Sequence, residues 1–598
     1  MPHEAGRTAV RRMTASGTVE DVLAAPWSAR SRVHEYGGAS WTATDDGALL
    51  FVEKADQRVW RQDPGQVPRP LTPDGGDVRY GGLSLQHGRL LAVRESYEAG
   101  PSPRRDIVEV PLDGSGAADD ARIASLAGGS DFVAHPSLSP DGSRLAWIAW
   151  DHPDMPWDRA ELRVGPLDRA AGEWTTVAGG TSSPLQPEWA DDDTLVYADD
   201  PTGRWNLWRQ RLSPGARPGP IAPADADTGG PLWVLGTRWF AVLGDGRIVA
   251  VRTHGSDTLV LIDPNGTERA IHTPARTRMS LEDVRGTRVL LSGAGAQGAG
   301  LWELDVDHRD DPRVLVGDSA PWGEEWMPKA RAVTVAGPRG PVHAFDFPPT
   351  NPHATGPTGE RPPYIVFVHG GPTDHVGGAA SGKIAYFTSR GIGVLDVNYG
   401  GSSGYGRAYR ERLNGQWGVV DVDDVVAAAR GLADAGGADP DRLAIAGGSA
   451  GGWTVLCALL RPGAFGAGIS RYGVADLRRL ADDTHDFELS YLDRLVGPLP
   501  EAEQVYIERS PLSQLDRMRT PLLIEQGLED AVVPPSQSEA VRDALAANGV
   551  PHAYLAFEGE GHGFRRAETV IRALEAELSF LGQVLGFDTP DVPTLDLA

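Results

Sequence analysis

The chain has 598 residues, about four times the ~150 residues of one ordinary domain, so a single hydrophobic core is excluded. Lys+Arg 56 against Asp+Glu 82 leaves a formal charge of −26, which argues against nucleic acid or an anionic membrane as partner. A hydrophobic content of 40% excludes wholesale disorder, and Gly 74 with Pro 47, spread along the chain, calls for many tight turns and an all-β component.

The N-terminal MPHEAGRTAVRRM carries positive charge with no apolar stretch behind it, so no signal peptide is expected. No apolar run reaches the ~18 residues of a membrane-spanning helix. The lone cysteine, Cys457, excludes an internal disulfide framework and a cysteine-built zinc cluster. These features lead to the expectation of a cytoplasmic protein that needs no metal and no cofactor.

Over residues 1–326, short β-like runs recur with turn residues and aromatics between them. Units begin near Trp41 (WTATDDGALLFVEKADQRVWRQD), Gly82 (GLSLQHGRLLAVRES), Leu138 (LSPDGSRLAWIAWD), Trp189 (WADDDTLVYADD), Trp239 (WFAVLGDGRIVAVRTH) and Leu281 (LEDVRGTRVLLSGAG). Most read as a strand, a D-G or D-D turn, an apolar second strand, a polar turn and a third strand. The spacing of about 40–55 residues fits propeller blades, whereas immunoglobulin-like sandwiches need about 100 residues per unit. Residues 1–326 are therefore predicted to form a β-propeller domain.

Over residues 327–598 the rhythm becomes strand–helix alternation. Strands are predicted over Tyr364–His369, Ile392–Asn398, Arg442–Gly447, Pro521–Gln526 and His552–Phe557. Helices are predicted over Val422–Ala435, Ala450–Leu460, Ser536–Asn548 and Ala567–Leu585. Buried apolar strands alternating with amphipathic helices imply a doubly wound, mostly parallel sheet, with chemistry at the carboxyl ends of its strands.

One segment there carries chemistry. Gly447-Gly448-Ser449-Ala450-Gly451 follows the strand RLAIAG and opens the helix AGGWTVLCALL, the context of a nucleophile elbow in an α/β-hydrolase domain. Glycines flank the serine because side chains two positions away would collide with the sharp turn. A serine hydroxyl is a weak nucleophile and needs a base held by an acid, which in this fold follow in the order acid, then histidine. Asp530 lies on the loop after the strand PLLIEQG, and His562 lies in EGHGF after HAYLAF. Ser449, Asp530 and His562 are the predicted triad. Glu529 is the rival acid, and His485 and His552 are the rival bases. The oxyanion donors are predicted to be the backbone N–H groups of Ala450 and of Gly371 in His369-Gly370-Gly371-Pro372, with His369 shaping that loop.

At this point the segments HGGP, DVNYGGSSGYGRAYRERLNGQWGVVDVDD, GGSAGG, GLEDAVVPPSQSE and EGEGHGF resemble the prolyl oligopeptidase family of serine peptidases. The similarity is to its bacterial acylaminoacyl-peptidase or dipeptidyl-aminopeptidase-like branch, a group that includes puromycin hydrolase. It extends into the first half through VHEYGGASW, ADQRVWRQ, DHPDMPWDRAELRV and GGPLWVLG. The resemblance implies a seven-bladed propeller capping an α/β-hydrolase domain, the active site between them, and catalytic roles for Ser449, Asp530 and His562. Relatives usually carry a further stretch before the segment matching GRTAVRR, which implies a propeller incomplete at its N-terminus. Val532 stands where archaeal acylaminoacyl peptidases carry an arginine, and Trp453 and Arg471 stand where relatives often carry tyrosine.

The expected activity is hydrolysis of short peptides or small aminoacyl amides, including puromycin-type amides, through an acyl-enzyme. The exopeptidase form acts next to a free amino terminus, which calls for a carboxylate to meet the ammonium. Glu488 is the foremost candidate; Asp225, Asp227, Glu324 and Glu325 are others. Trp417 and Trp453 are predicted to line the substrate pocket. Acylaminoacyl or dipeptidyl peptidase, carboxylesterase and a non-catalytic scaffold are the alternatives, and monomer and homo-oligomer both stay open.

Overall fold

Six four-stranded antiparallel sheets succeed one another from Trp41 to Gly317, each with its strands in chain order. In the third, strands Phe132–Leu138, Arg144–Trp150, Glu161–Pro166 and Thr175–Gly179 pair in turn. Its tight turn is fixed by Ser139 and Ser143 donating to the Asp141 carboxylate, with Gly142 at φ 70°. The second strand, RLAWIAW, is buried on both faces because neighbouring sheets cover both, which is why it reads as one apolar run. The structure is a computed structural model describing every residue except 15, 98–101, 168–171, 309 and 318–321.

The propeller has six blades, not the seven that the family resemblance implied. Before Trp41 the named strands among the described residues form a two-stranded hairpin, Arg11–Met13 with Val19–Asp21. Val10, Leu23 and Ala29 pack on Leu49 and Phe51, joined by Trp27 and Trp60, so this segment covers a face of the first blade and adds no blade of its own.

The remaining sheet has eight strands. In chain order they are β1 (Arg331–Gly337), β2 (Gly340–Phe347), β3 (Tyr364–Val368), β4 (Gly393–Asn398), β5 (Leu443–Gly448), β6 (Ala467–Arg471), β7 (Leu522–Gly527) and β8 (His552–Phe557). Their spatial order is β1-β2-β4-β3-β5-β6-β7-β8, antiparallel at β1-β2 and β2-β4 and parallel elsewhere. The principal helices are α1 (Val420–Asp434), α2 (Ala450–Leu459), α3 (Pro535–Ala547) and α4 (Ala567–Leu585).

Strand β5 shows why the sheet is covered twice. Leu443 and Ile445 face a core with Val425 of α1 and Val455 of α2, while Ala444 and Ala446 face another with Ala576, Phe580 and Leu581 of α4. The predicted elements fall on β3, β4, β5, β7, β8 and α1–α4 within two residues. The hairpin β1-β2 and the short β6 were not predicted. The loops after β3, β5, β7 and β8 converge at one edge, facing the propeller.

Candidate active site

Ser449 has φ 56° and ψ −124°, a backbone conformation that side-chain-bearing residues rarely adopt. Its N–H is tied to Arg471 O at 3.0 Å. The neighbouring glycines are sterically required: a Cβ on Gly447 would lie 2.5 Å from Gly451 O, and one on Gly451 would lie 2.3 Å from Val368 O. The turn hands the chain from β5 to α2 and opens Ser449 and Ala450 onto a cavity of about 2400 Å³ between propeller and sheet.

His562 opens onto the same cavity. Its Nδ1 lies 2.8 Å from Asp530 Oδ2, a geometry in which Nδ1–H donates to the carboxylate, so that in the neutral imidazole Nε2 is the nitrogen with the lone pair. Asp530 is buried and accepts further bonds from Val532 N and Val533 N at 2.9 Å on Oδ1, with Gln526 Nε2 at 3.4 Å from Oδ2. The rivals are placed elsewhere. The rival base His552 bonds Val550 O at the buried start of β8, and His562 pairs with Asp530 rather than Glu529. The ring of Tyr472 packs 4.8 Å from His562, while a Cβ on Gly448 would lie 2.8 Å from that same ring, so serine turn and imidazole flank one tyrosine.

The loop after β3 runs beside the serine: a Cβ on Gly370 would lie 3.5 Å from Ser449 Cβ. Tyr399 Oη approaches His369 O at 3.1 Å and Pro372 O at 3.2 Å, and His369 Nε2 meets Ser402 Oγ at 2.8 Å. Burial pushes the His369 imidazole down to about 4, so it is neutral and structural, as expected from the sequence. Gly371, at φ 119°, lines the cavity along with Gly370 and Pro372.

On the catalytic-sheet side the cavity has an apolar wall that includes Trp417, Val474, Leu480, Leu492, Leu495 and Val532. Trp417, one of the two tryptophans singled out in the sequence, lines the cavity. Trp453 does not. It is fully buried, packs 5.1 Å from Trp417 and does not reach the cavity. Helix α2 is buried along its whole length, Ala450 to Leu459, and Trp453 packs there against Trp417 and the backbone at Gly418.

Glu488 also lines the cavity. Tyr36 Oη donates to its Oε1, His485 Nε2 lies 4.0 Å away, and no Lys or Arg pairs with it among the described residues. The other candidate acids are outside the cavity. Asp227 is buried and takes bonds from Trp205 N and Gly406 N; Asp225 pairs with Arg204; Glu324 and Glu325 are exposed. Sequence reasoning missed Tyr36, Trp233, Thr373 and Tyr491. Tyr36 and Trp233 lie inside VHEYGGASW and GGPLWVLG, segments carrying the family likeness without an assigned role.

Comparison with known proteins bears on this arrangement. Residues 379–588 match the model of the prolyl oligopeptidase family. The structure of a puromycin-hydrolyzing peptidase of Mycobacterium tuberculosis is 45% identical, with a TM-score of 0.94, covering 100% of this chain and 94% of that one. A mutant puromycin hydrolase complexed with PGG is 43% identical, with a TM-score of 0.94 and the same coverage. Among curated proteins, dipeptidyl aminopeptidase BIII of Pseudoxanthomonas mexicana is 34% identical over 230 residues, 38% of this chain and 33% of that protein. The chain thus spans about a third of the length of the curated relatives it matches first, 33% and 31%. No helix among the described residues is long and apolar enough to cross a membrane.

Proposed function

Because the chain belongs to the prolyl oligopeptidase family, we propose that it is a serine peptidase releasing residues from the free amino terminus of short peptides and aminoacyl amides. The observation that carries this reading is the buried Asp530 carboxylate bonded to His562, which lines one cavity together with Ser449. In it, residues 1–326 form the capping unit and 327–598 the catalytic unit.

Ser449 Oγ attacks the scissile carbonyl carbon as His562 Nε2 takes its proton. Negative charge on the carbonyl oxygen is met by the N–H groups of Ala450 and Gly371. The imidazolium then protonates the leaving amine, the C–N bond breaks, and an acyl-enzyme remains. Water, deprotonated by the same imidazole, releases the acid and restores the serine. Asp530 keeps the imidazole in the needed tautomer throughout. Trp417 and its apolar neighbours receive the side chain of the acyl residue, and Glu488 Oε2 receives the substrate ammonium, since among the described residues no arginine or lysine pairs with this carboxylate. The lone cysteine, Cys457, is buried and unpaired, which fits a reducing, cytoplasmic setting.

A panel of free-amine, N-acetylated and X-Pro aminoacyl naphthylamides, with nitrophenyl esters beside them, tests this. Free-amine amides are expected to be the preferred class. Glu488→Gln is expected to lower kcat/KM for them about 10–100-fold, the loss of one charge-assisted bond, while sparing N-acetylated analogues. Preference for N-acetylated or X-Pro substrates would move the protein to the acylaminoacyl or dipeptidyl class, and preference for esters to the carboxylesterases.

A further inference from the structure

We propose that Trp233, carried by the propeller between its fourth and fifth blades, is a positioning residue for the oxyanion loop of the catalytic unit. Its indole Nε1–H donates to Thr373 O at 2.7 Å, across the boundary between the two units. This inference rests on the assignment of Gly371 N–H as an oxyanion donor.

Thr373 is buried, and each of its polar groups is occupied from outside the loop. The carbonyl takes the Trp233 bond; the amide donates to Tyr491 Oη at 3.3 Å, and the side-chain hydroxyl meets that same oxygen. Gly371 and Thr373 are in direct contact, because a Cβ on Gly371 would lie only 2.8 Å from Thr373 N. A shift of Thr373 is therefore a shift of Gly371. The upstream half of the loop, His369 to Pro372, is tied within the catalytic unit by Tyr399. The downstream half is held from both sides, by Tyr491 of the catalytic unit and by Trp233 of the propeller. The other propeller bond to the next residue, Arg278 to Asp374 at 3.2 Å, joins an exposed arginine and contributes little rigidity.

The donor is itself rigidly held. The Trp233 ring packs 4.5 Å from Trp157 and 5.4 Å from Tyr36 within the propeller, and 5.8 Å from Tyr491 opposite. Tyr36 is also the residue that bonds Glu488, so the amine-binding carboxylate and the oxyanion loop share one aromatic brace. The bond from Trp233 adds a propeller contact to those that Tyr399 and Tyr491 make from within the catalytic unit, which makes the propeller part of the positioning machinery as well as a cover.

The test uses the full chain with Trp233→Phe, which keeps an aromatic ring and removes the donor. A second variant replaces the indole N–H at 233 by the sulfur of benzothienylalanine, an isostere that preserves packing. Both are expected to lower kcat on a free-amine amide about 10–100-fold with KM within about twofold, the signature of lost transition-state alignment. Affinity for a tetrahedral aminoacyl boronate should fall by the same factor, with affinity for the product amino acid and the circular dichroism unchanged. An unchanged kcat, or a raised KM at constant kcat, would overturn the proposal, the latter making Trp233 a substrate contact. Replacing Gly371 by glycolic acid, an amide-to-ester change that removes its N–H, separates the two levels: if it leaves boronate affinity intact, the oxyanion assignment fails and this inference with it. If only the Trp233 variants leave it intact, the inference alone fails.

Discussion

Holding Ser449 at φ 56° costs on the order of 1–3 kcal/mol, and the surrounding residues offset it by construction. Arg471 O ties its amide, and Gly447 and Gly451 leave room where any side chain would strike backbone. The same economy of space governs Asp530, whose two oxygens face His562 Nδ1, two backbone amides and Gln526, so no orientation suits an amide in its place. Ser449→Ala and His562→Ala are each expected to cut kcat by about 10⁴-fold or more, with unchanged circular dichroism. The double variant should be hardly worse than either single, because the groups act as one unit. Turnover multiplied down by both losses would mean that the two side chains work independently. Trp453 shows the limit of inference at this scale: residue type suggested a pocket, and a helix buried on every side placed it in the core.

At the scale of elements, the end of β6, whose Arg471 O ties the serine turn, and the end of β7, which leads into the Asp530 loop, rest on a buried ionic cluster. Arg471 of β6 reaches Glu577 of α4 at 2.6 Å and Glu525 of β7 at 3.3 Å, and Lys383 reaches Glu577 at 3.0 Å. Burial raises Glu577, but Arg471 and Lys383 outweigh it and hold that carboxyl below its ordinary value. Glu525 goes the other way, pushed up to about 8 by burial and then by the charge of Glu577. Its folded form keeps a proton that the unfolded chain releases above the ordinary carboxylate range near ~4.3, so stability falls as pH rises from there through about 8. Glu525→Gln is expected to remove this slope, leaving the variant more stable than the native protein at pH near ~8, read as the apparent Tm across pH 5–9. Parallel curves for the two proteins would show that the carboxyl at 525 is ionised in the fold. The cluster was invisible in the sequence because β6 is short and rich in small residues, AGISR, and was not recognised as a strand.

At the scale of the molecule, the segment GYGRAYR clasps the propeller to the sheet. Gly406 N donates to Asp227, Arg407 and Arg410 both reach the buried Asp200, and Arg410 also donates to Trp157 O at 2.9 Å. The Arg410 guanidinium lies 4.1 Å from the centre of the Trp205 ring. Arg410→Ala removes the charge-assisted bonds of Arg410 but leaves Asp200 paired with Arg407, so it is expected to cost about 2 kcal/mol and lower the apparent unfolding midpoint. A cycle with Asp200→Asn should return a coupling of about 1 kcal/mol or more; an additive cycle would show that the clasp is packing alone.

How much of this was legible follows from how far each feature reaches along the chain. Strand–turn grammar, the strand–serine–helix elbow, and the chain order of Ser449, Asp530 and His562 are properties of short segments, where side-chain periodicity and glycine placement act directly on the backbone. Those features were determined by the sequence alone, and the His562–Asp530 bond joins two such segments 32 residues apart. The number of blades, the burial of Trp453, the exposure of Glu488 to the cavity and the bond from Trp233 to Thr373 were decided only in the tertiary structure. Each depends on which surfaces meet across long stretches of chain, and Trp233 and Thr373 stand 140 residues apart. Local pattern carries no record of such a meeting, because it is set by the packing of whole sheets against one another.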